Sequence, residues 1–116
     1  MAARSYLIQL TNLTGLALRL DPEKTELIRG RWTDAPPDVI GNSSTAHFGS
    51  ESDGFMTGTE GRVTYTSSSG DFLIYWDNPF VGADETSVQT PPGFTASKED
   101  SGGDNATLKV VLYAAP

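Results

Sequence analysis

The segment RVTYTSSSGDFLIYW, residues 62–76, decides the fold class of this protein. Apolar side chains occupy every second position on both sides of a Ser/Gly-rich centre, at Val63 and Tyr65 and then at Phe72, Ile74 and Trp76. A period of two is typical of β-strands, because successive side chains of a strand point to opposite faces. The four residues 67–70 are small and turn-forming, so they predict a hairpin loop between two antiparallel strands.

The rest of the chain repeats this pattern in short segments, and no stretch of about ten residues keeps a helical period. We predict about eight strands, at residues 6–10, 16–20, 25–32, 62–66, 72–76, 86–89, 93–97 and 107–113. Two prolines make 34–42 an irregular connection, and 98–105 is predicted as an exposed polar hairpin loop. We therefore expect one all-β domain over residues 1–116, a two-sheet antiparallel β-sandwich.

The composition argues against several classes of function. The 116 residues include 8 Lys and Arg against 15 Asp and Glu, which gives a net charge of −7 at pH 7. Such an acidic surface repels phosphate backbones, so nucleic acid is not an expected partner. The chain has no cysteine, which excludes a disulfide framework, a thiolate metal site and a cysteine nucleophile.

The first residues bear on localisation. No apolar run approaches the roughly 18 residues that a membrane-spanning helix needs. The start of the sequence leads into a strand pattern and lacks the long apolar region of a signal peptide. We therefore expect a protein that is cytoplasmic, is secreted by a non-classical route, or has already lost a leader.

Neither a catalytic site nor a metal site is predicted. A Ser-His-Asp triad would have to use His47, the one histidine, and the serines lie in turns without a Gly-x-Ser-x-Gly context. Residues 58–61 lack the Gly-Lys-Ser/Thr of a phosphate-binding loop. The acidic stretches 50–53 and 100–105 offer oxygen ligands but do not match the spacing of a calcium loop. We expect a non-enzymatic protein without a cofactor.

The segment YWDNPFVG, residues 75–82, is the most informative for binding. It brings Tyr75, Trp76 and Phe80 together with the carboxylate of Asp77 at a strand end, where proline and glycine turn the chain. Such a block either closes the sandwich as a small core or forms a recognition patch, and both interpretations stay open. As a patch, aromatic faces beside a carboxylate suit a quaternary ammonium such as a choline headgroup, by cation–π attraction.

Two further features could present apolar surface. The glycine-rich loop 53–58 would expose the large side chains of Phe55 and Met56 unless they fold inward. The strand at 72–76 is apolar on both faces, although a strand of a two-sheet sandwich has only one face inside. Its second face must be covered by other residues or must bind a ligand.

With these blocks in order, the chain resembles the aegerolysin family of small, acidic, haemolysin-like β-sandwich proteins. Four elements carry the resemblance: Tyr6-x-Ile8-x-Leu10-x-Asn12 with Leu16-x-Leu18; Gly30-Arg31-Trp32; Ser52-Asp53 with Gly58-Thr59-x-Gly61 and Val63-x-Tyr65; and Trp76-Asp77-Asn78-Pro79-Phe80. Together they cover residues 5–82. The sequence departs from the family pattern at Phe48 and Asn78, where the family often has cysteine, and at Phe80, where its signature has a second tryptophan.

The resemblance implies binding to membranes rich in particular sphingolipids and sterols. Some aegerolysins form pores with a larger perforin-like partner protein, so such a partner is a further expectation. The resemblance makes Trp76 and Phe80, with Trp32 nearby, the expected lipid contacts. Together with the candidates from the residues themselves, the predicted lipid-binding set is Trp32, Phe55, Tyr75, Trp76, Asp77 and Phe80. The alternative is a carbohydrate-binding, lectin-like module or an actinoporin-like β-sandwich.

Overall fold

The fold of residues 2–116, described by a computed structural model, is all-β, as the sequence predicts. Within that range it has eleven strands rather than about eight. They are β1 (Ser5–Leu13), β2 (Leu18–Leu20), β3 (Glu26–Arg29), β4 (Arg31–Asp34), β5 (Val39–Ile40), β6 (Ser44–Glu51), β7 (Thr59–Ser67), β8 (Gly70–Asn78), β9 (Glu85–Gln89), β10 (Phe94–Asp100) and β11 (Asn105–Ala114). One 3₁₀ turn, Pro22–Lys24, follows β2. No helix in this range is both long and apolar enough to cross a bilayer.

The strands form two sheets that pack face to face. One sheet has the order β10-β11-β1-β6-β4, and the other has the order β5-β2-β7-β8-β9 with β3 also paired to β7. β2 and β3 lie end to end along the same edge of β7, because β2 pairs with Tyr65 and Thr66 and β3 pairs with residues 60–62. The β1–β11 pair is parallel, and the other pairs described here are antiparallel.

The predicted hairpin at residues 62–76 is confirmed. β7 and β8 pair in register from Thr59 opposite Asn78 to Ser67 opposite Gly70. The Ser67 hydroxyl donates a hydrogen bond to the Gly70 carbonyl and accepts one from the Ser69 amide, which closes the turn. This hairpin is the centre of the second sheet.

The strand predicted at 25–32 is wrong as one element, because the chain changes sheets in its middle. Gly30 has a φ of +95° and separates β3, in one sheet, from β4, in the other. A Cβ atom at this position would lie 2.3 Å from the Glu51 carbonyl oxygen. Only glycine combines this backbone conformation with that close approach, so Gly30 allows the chain to cross from one sheet to the other at this point.

Two other strands are absent from the sequence prediction. The sequence pattern does not reveal β6, because its buried residues include the polar Ser50 and also Gly49. These residues interrupt the alternation of apolar and polar side chains. β5 is two residues long and lies inside the segment 34–42, which was predicted to be irregular. The polar loop predicted at 98–105 is shorter than expected, because β10 continues to Asp100.

The core lies between the two sheets, and its largest side chain is that of Trp76. The ring has no solvent exposure and lies 5.9 Å from the ring of Trp32 and 6.0 Å from that of Phe48, measured between centroids. Its N–H donates a 2.9 Å hydrogen bond to the Ser50 hydroxyl, so the one polar atom of the ring is satisfied. The other fully buried large side chains are Tyr6, Ile8, Leu10, Leu18, Phe48, Val63, Tyr65, Phe72, Ile74, Leu108 and Leu112.

Replacement of Gly61 by alanine is expected to destabilise the fold. The new Cβ would lie 2.3 Å from Trp76 Cζ2, so the indole must shift within a packed core. Overpacking of this kind costs about 1–3 kcal/mol in the free energy of unfolding, measurable by urea denaturation. Gly41→Ala is the control, because the nearest atom to its Cβ would be at an ordinary contact distance of 3.6 Å. Equal stability of the two variants would contradict this account of the core.

Candidate functional site

The structure corrects the prediction that Trp76 lies on an exposed binding patch. Trp76 is on the inner face of β8 and is fully buried, so its ring cannot contact a ligand at the surface. Trp32, on β4, is half-buried and packs against Trp76. Of the two interpretations left open by the sequence, the small core is therefore the correct one for Trp76. Trp32 keeps partial exposure, and its role as a lipid contact stays a prediction.

Tyr75 and Asp77 lie on the outer face of the same strand, away from the tryptophans. The Tyr75 hydroxyl donates a short hydrogen bond to the Glu60 carboxylate on the neighbouring strand β7. Asp77 is opposite Glu60 on one side and Glu85 on the other. Burial, and then repulsion from Glu60, raises the pKa of Asp77, while Arg29 opposes the shift. These residues form an acidic group on the sheet surface rather than an aromatic cage.

The remaining two predicted residues, Phe55 and Phe80, come together at one end of the sandwich. Two loops meet there: residues 52–58, which join β6 to β7, and residues 79–84, which join β8 to β9. Phe55 is 90% exposed, Met56 58% and Val81 83%, and Phe80 lies half-buried among them. We call these four side chains the apolar end.

Two open clefts run through the apolar end. The first, about 410 Å³, is lined by Phe55, Met56 and Phe80 together with Arg31 and other residues. The second, about 660 Å³, is lined by Met56, Phe80 and Val81 together with Arg29 and other residues. Met56 and Phe80 border both clefts, so the four apolar side chains form one continuous surface rather than separate spots.

The loop 52–58 has a backbone that turns its large side chains outward. Gly54 has a φ of +119° and Met56 a φ of +57°, which is uncommon for a residue with a side chain. The Thr57 hydroxyl donates a 2.9 Å hydrogen bond to the Gly54 carbonyl and closes the turn. A left-handed residue other than glycine costs about 1–2 kcal/mol, so the fold keeps Met56 in this conformation against a local preference.

The loop 79–84 is held in place by Arg4, which precedes β1. Its guanidinium donates hydrogen bonds to the carbonyls of Pro79, at 3.2 Å, and Phe80, at 2.7 Å. It also lies 4.7 Å from the centroid of the Phe80 ring, a cation–π contact. Gly58 packs so closely on this loop that a Cβ atom would lie 2.6 Å from the Asn78 carbonyl oxygen. The two loops therefore support each other, and the apolar end is preformed.

Charged side chains surround the apolar end. Arg31 Nη2 lies 2.6 Å from the Glu51 carboxylate, and Arg29 Nε lies 3.7 Å from that of Glu60. Both arginine side chains are mostly exposed, so further guanidinium N–H groups are open to solvent. The carboxylate of Asp53 borders both clefts. The surface thus has an apolar centre with cations and a carboxylate at its margin.

Two polar residues of the aegerolysin-like motifs, Thr59 and Asn78, have structural roles at this end of the fold. The Thr59 hydroxyl bonds to Ser50 Oγ, at 2.7 Å, and to the Arg29 carbonyl, at 3.1 Å. The Asn78 amide donates to the carbonyls of Ser5, Gly103 and Asp104 at 2.9–3.1 Å. These two motif positions therefore show how the strands and loops pack, whereas the exposed Phe55, Met56 and Val81 lie outside the motifs.

Sequence reasoning found part of this surface. It singled out Phe55 and Met56 in their glycine-rich loop and Phe80 in the signature segment. It did not identify Val81, although an aliphatic residue in a proline- and glycine-containing turn is an available signal. It also could not find Arg4, which acts on residues 75 positions away in the chain.

Comparisons with known proteins agree with the fold. The structure is similar to that of the lipid binding protein Nakanori, with a TM-score of 0.81 over 97% of this chain and 72% of that one. The two sequences are 16% identical, so the similarity shows a common fold. An uncharacterized protein of Dictyostelium discoideum is 32% identical over 112 residues, 95% of this chain. The chain spans about 10% of the length of that relative. No known family's sequence profile matches, so the aegerolysin resemblance stays a prediction.

Replacement of Asp77 by asparagine is expected to raise stability at neutral pH. Because the pKa of Asp77 is raised in the folded state, its contribution to stability is full below the ordinary aspartate pKa of about 3.9 and is lost as pH rises through the higher folded value. Asp77→Asn should therefore unfold at a higher temperature than the parent at neutral pH, and the difference should vanish in acid.

Asp71→Asn, on the same strand, is the matched control, and its expected effect on stability at neutral pH is opposite to that of Asp77→Asn. The hydrogen bond from Lys24 holds the pKa of Asp71 below its usual range, so this variant should be less stable than the parent at neutral pH, by a small amount because the pair is exposed. Thermal unfolding of both variants across pH measures the two effects. A neutral-pH loss of stability in Asp77→Asn would show that the carboxylate is favourably placed.

Proposed function

We propose that this protein binds the surface of a lipid bilayer through its apolar end, as a peripheral and non-enzymatic protein. The observation that carries the proposal is the exposure of Phe55, Met56 and Val81 together, in a chain with a net charge of −7. Exposed apolar surface gains about 25 cal/mol per Å² when it leaves water, so three such side chains favour transfer to an apolar phase. The shared fold with a lipid-binding protein supports the same interpretation.

The distribution of charge around the apolar end suits a membrane interface. Apolar tips can enter the boundary between headgroups and acyl chains, while the guanidinium groups of Arg29 and Arg31 stay at the level of the lipid phosphates. The loops that carry the tips are preformed, so little conformational entropy is lost on binding. The arrangement favours shallow insertion of the two loops.

We further propose that the lipid is a sphingolipid with a zwitterionic headgroup, in a membrane that also contains sterol. The exposed N–H groups of Arg29 and Arg31 can donate to a phosphate, and the carboxylate of Asp53 can attract the ammonium group. The net charge of −7 disfavours strongly anionic membranes. In this proposal Asp53 takes the role that is predicted for Asp77 from the sequence, because Asp53 borders both clefts and Asp77 borders neither. The preference for a sphingolipid and sterol rests on the aegerolysin resemblance.

Carbohydrate binding is less well supported by the exposed residues. A lectin-like site would stack sugar rings on aromatic faces, for which the sequence offered Tyr75 and Trp76. Trp76 is buried, and the hydroxyl of Tyr75 is engaged by Glu60. Pore formation with a larger perforin-like partner, and residence in the cytoplasm or export by a non-classical route, are proposals that rest on the sequence alone.

A double variant, Phe55→Ser/Val81→Ser, should lose lipid binding while it keeps its fold. Both side chains are exposed, so stability should change little, by about 0.5 kcal/mol or less per site. Burial of each in a bilayer contributes about 1.5 kcal/mol or more, about 3 kcal/mol for the two, so vesicle affinity should fall at least about a hundredfold. Co-sedimentation with vesicles of sphingomyelin, phosphatidylcholine and cholesterol measures the loss.

Leu13→Ser is the matched control for this variant. Leu13 is 50% exposed and ends β1, about 26 Å along the strand from Ser5, which lies next to the apolar end. Its replacement should leave vesicle binding unchanged. Equal loss in control and double variant would mean that the assigned surface is wrong. The same assay without sphingomyelin, or with phosphatidylglycerol in its place, tests which lipid headgroup the protein prefers. Stronger binding to the anionic phosphatidylglycerol vesicles would contradict the proposal of a zwitterionic headgroup.

A further inference from the structure

We propose that Met56 is a site of reversible oxidation, and that its sulfoxide weakens lipid binding. The inference rests on the proposed function, because it assigns a means of control to the apolar end. Three observations carry it: the exposure of the thioether, its position between both clefts, and the absence of cysteine from the chain.

The thioether of Met56 is accessible to small oxidants. The side chain is 58% exposed and is not part of the hydrophobic core. The positive φ of Met56 and the hydrogen bond from Thr57 to Gly54 hold the loop so that the side chain faces solvent. With no cysteine in the sequence, a thioether is the sulfur group that meets an oxidant. The protein therefore offers a preferred target for a peroxide.

The reaction is a two-electron oxidation by hydrogen peroxide. A lone pair of the sulfur attacks one peroxide oxygen, the O–O bond breaks, and a sulfur–oxygen bond forms. The hydroxide that leaves takes up the proton lost by the transferred OH, which gives water. Sulfur is oxidised and peroxide is reduced. Methionine sulfoxide reductases return the thioether with electrons from a dithiol, so the change is reversible.

The position of Met56 explains why its sulfoxide would weaken lipid binding. Its side chain borders both clefts, as does that of Phe80, so the new oxygen lies in the middle of the surface that enters the lipid. A sulfoxide oxygen accepts hydrogen bonds from water and must lose them on insertion, which opposes transfer to an apolar phase. Because Met56 lies outside the core, the same change leaves the folded state intact. The expected result is weaker binding without unfolding.

The test compares each protein with itself before and after treatment with hydrogen peroxide. Oxidation is located by mass spectrometry of the tryptic peptide 32–62, which contains Met56 and not Met1. The probe is a vesicle of sphingomyelin, phosphatidylcholine and cholesterol, and thermal unfolding reports on the fold. The vesicle affinity of the oxidised parent should fall by up to about tenfold, and its unfolding temperature should not change. Treatment with methionine sulfoxide reductases A and B should restore the affinity.

Met56→Leu provides the comparison that separates Met56 from other oxidisable groups. It keeps Met1 and both tryptophans, so its ratio of affinities before and after peroxide should stay at one, whatever its starting affinity. An equal loss in this variant, a parent affinity that does not change on oxidation, or a loss that the reductases do not reverse would each overturn the inference. If the untreated parent does not bind these vesicles, the proposed function is contradicted. The proposed regulation through Met56 is then contradicted as well.

Discussion

The contact between the Trp76 indole and Gly61 is the constraint on which the rest of the structure depends. The two residues are opposite each other on β8 and β7, and a Cβ atom on Gly61 would enter the space of the ring. The missing side chain lets the largest ring of the core lie across its own sheet and reach Ser50 on the other one. The hydrogen bond to Ser50 and the contact with Trp32 then tie β6 and β4 to the central hairpin. The absence of a side chain at Gly61 thus makes room for the indole that connects the two sheets.

The same packing places the loops that carry the candidate site. β8 passes through the core to Asn78, whose amide bonds to three carbonyls around the start of β1 and the turn before β11. The chain then turns at Pro79 and Phe80, where Arg4 bonds to both carbonyls. Gly58 lies against this turn, at the end of the neighbouring loop 52–58. The apolar end is therefore built on rigid elements, although its exposed side chains contact few other residues.

In the proposed function, the net charge of the molecule and its apolar end act in different ways on membrane binding. A net charge of −7 gives no general attraction to membranes, many of which are anionic. Binding must then come from local contacts: apolar side chains that leave water, and a few charges placed to meet a headgroup. Arg29, Arg31 and Asp53 lie at the margin of the same clefts and supply both signs. We therefore expect the identity of the lipid headgroup, rather than the overall charge of the membrane, to determine the binding affinity.

The sequence by itself determined the fold class, the central hairpin and most of the core, because alternation with a period of two follows directly from strand geometry. It also marked Phe55, Met56 and Phe80, since large apolar residues in glycine- and proline-rich loops are unusual. The burial of Trp76, with Tyr75 on the outer face, followed only from the packing of the two sheets, because the sequence cannot tell which face of a doubly apolar strand turns inward. The change of sheet at Gly30 and the reach of Arg4 to Phe80 are likewise non-local, since each depends on residues brought together by folding alone.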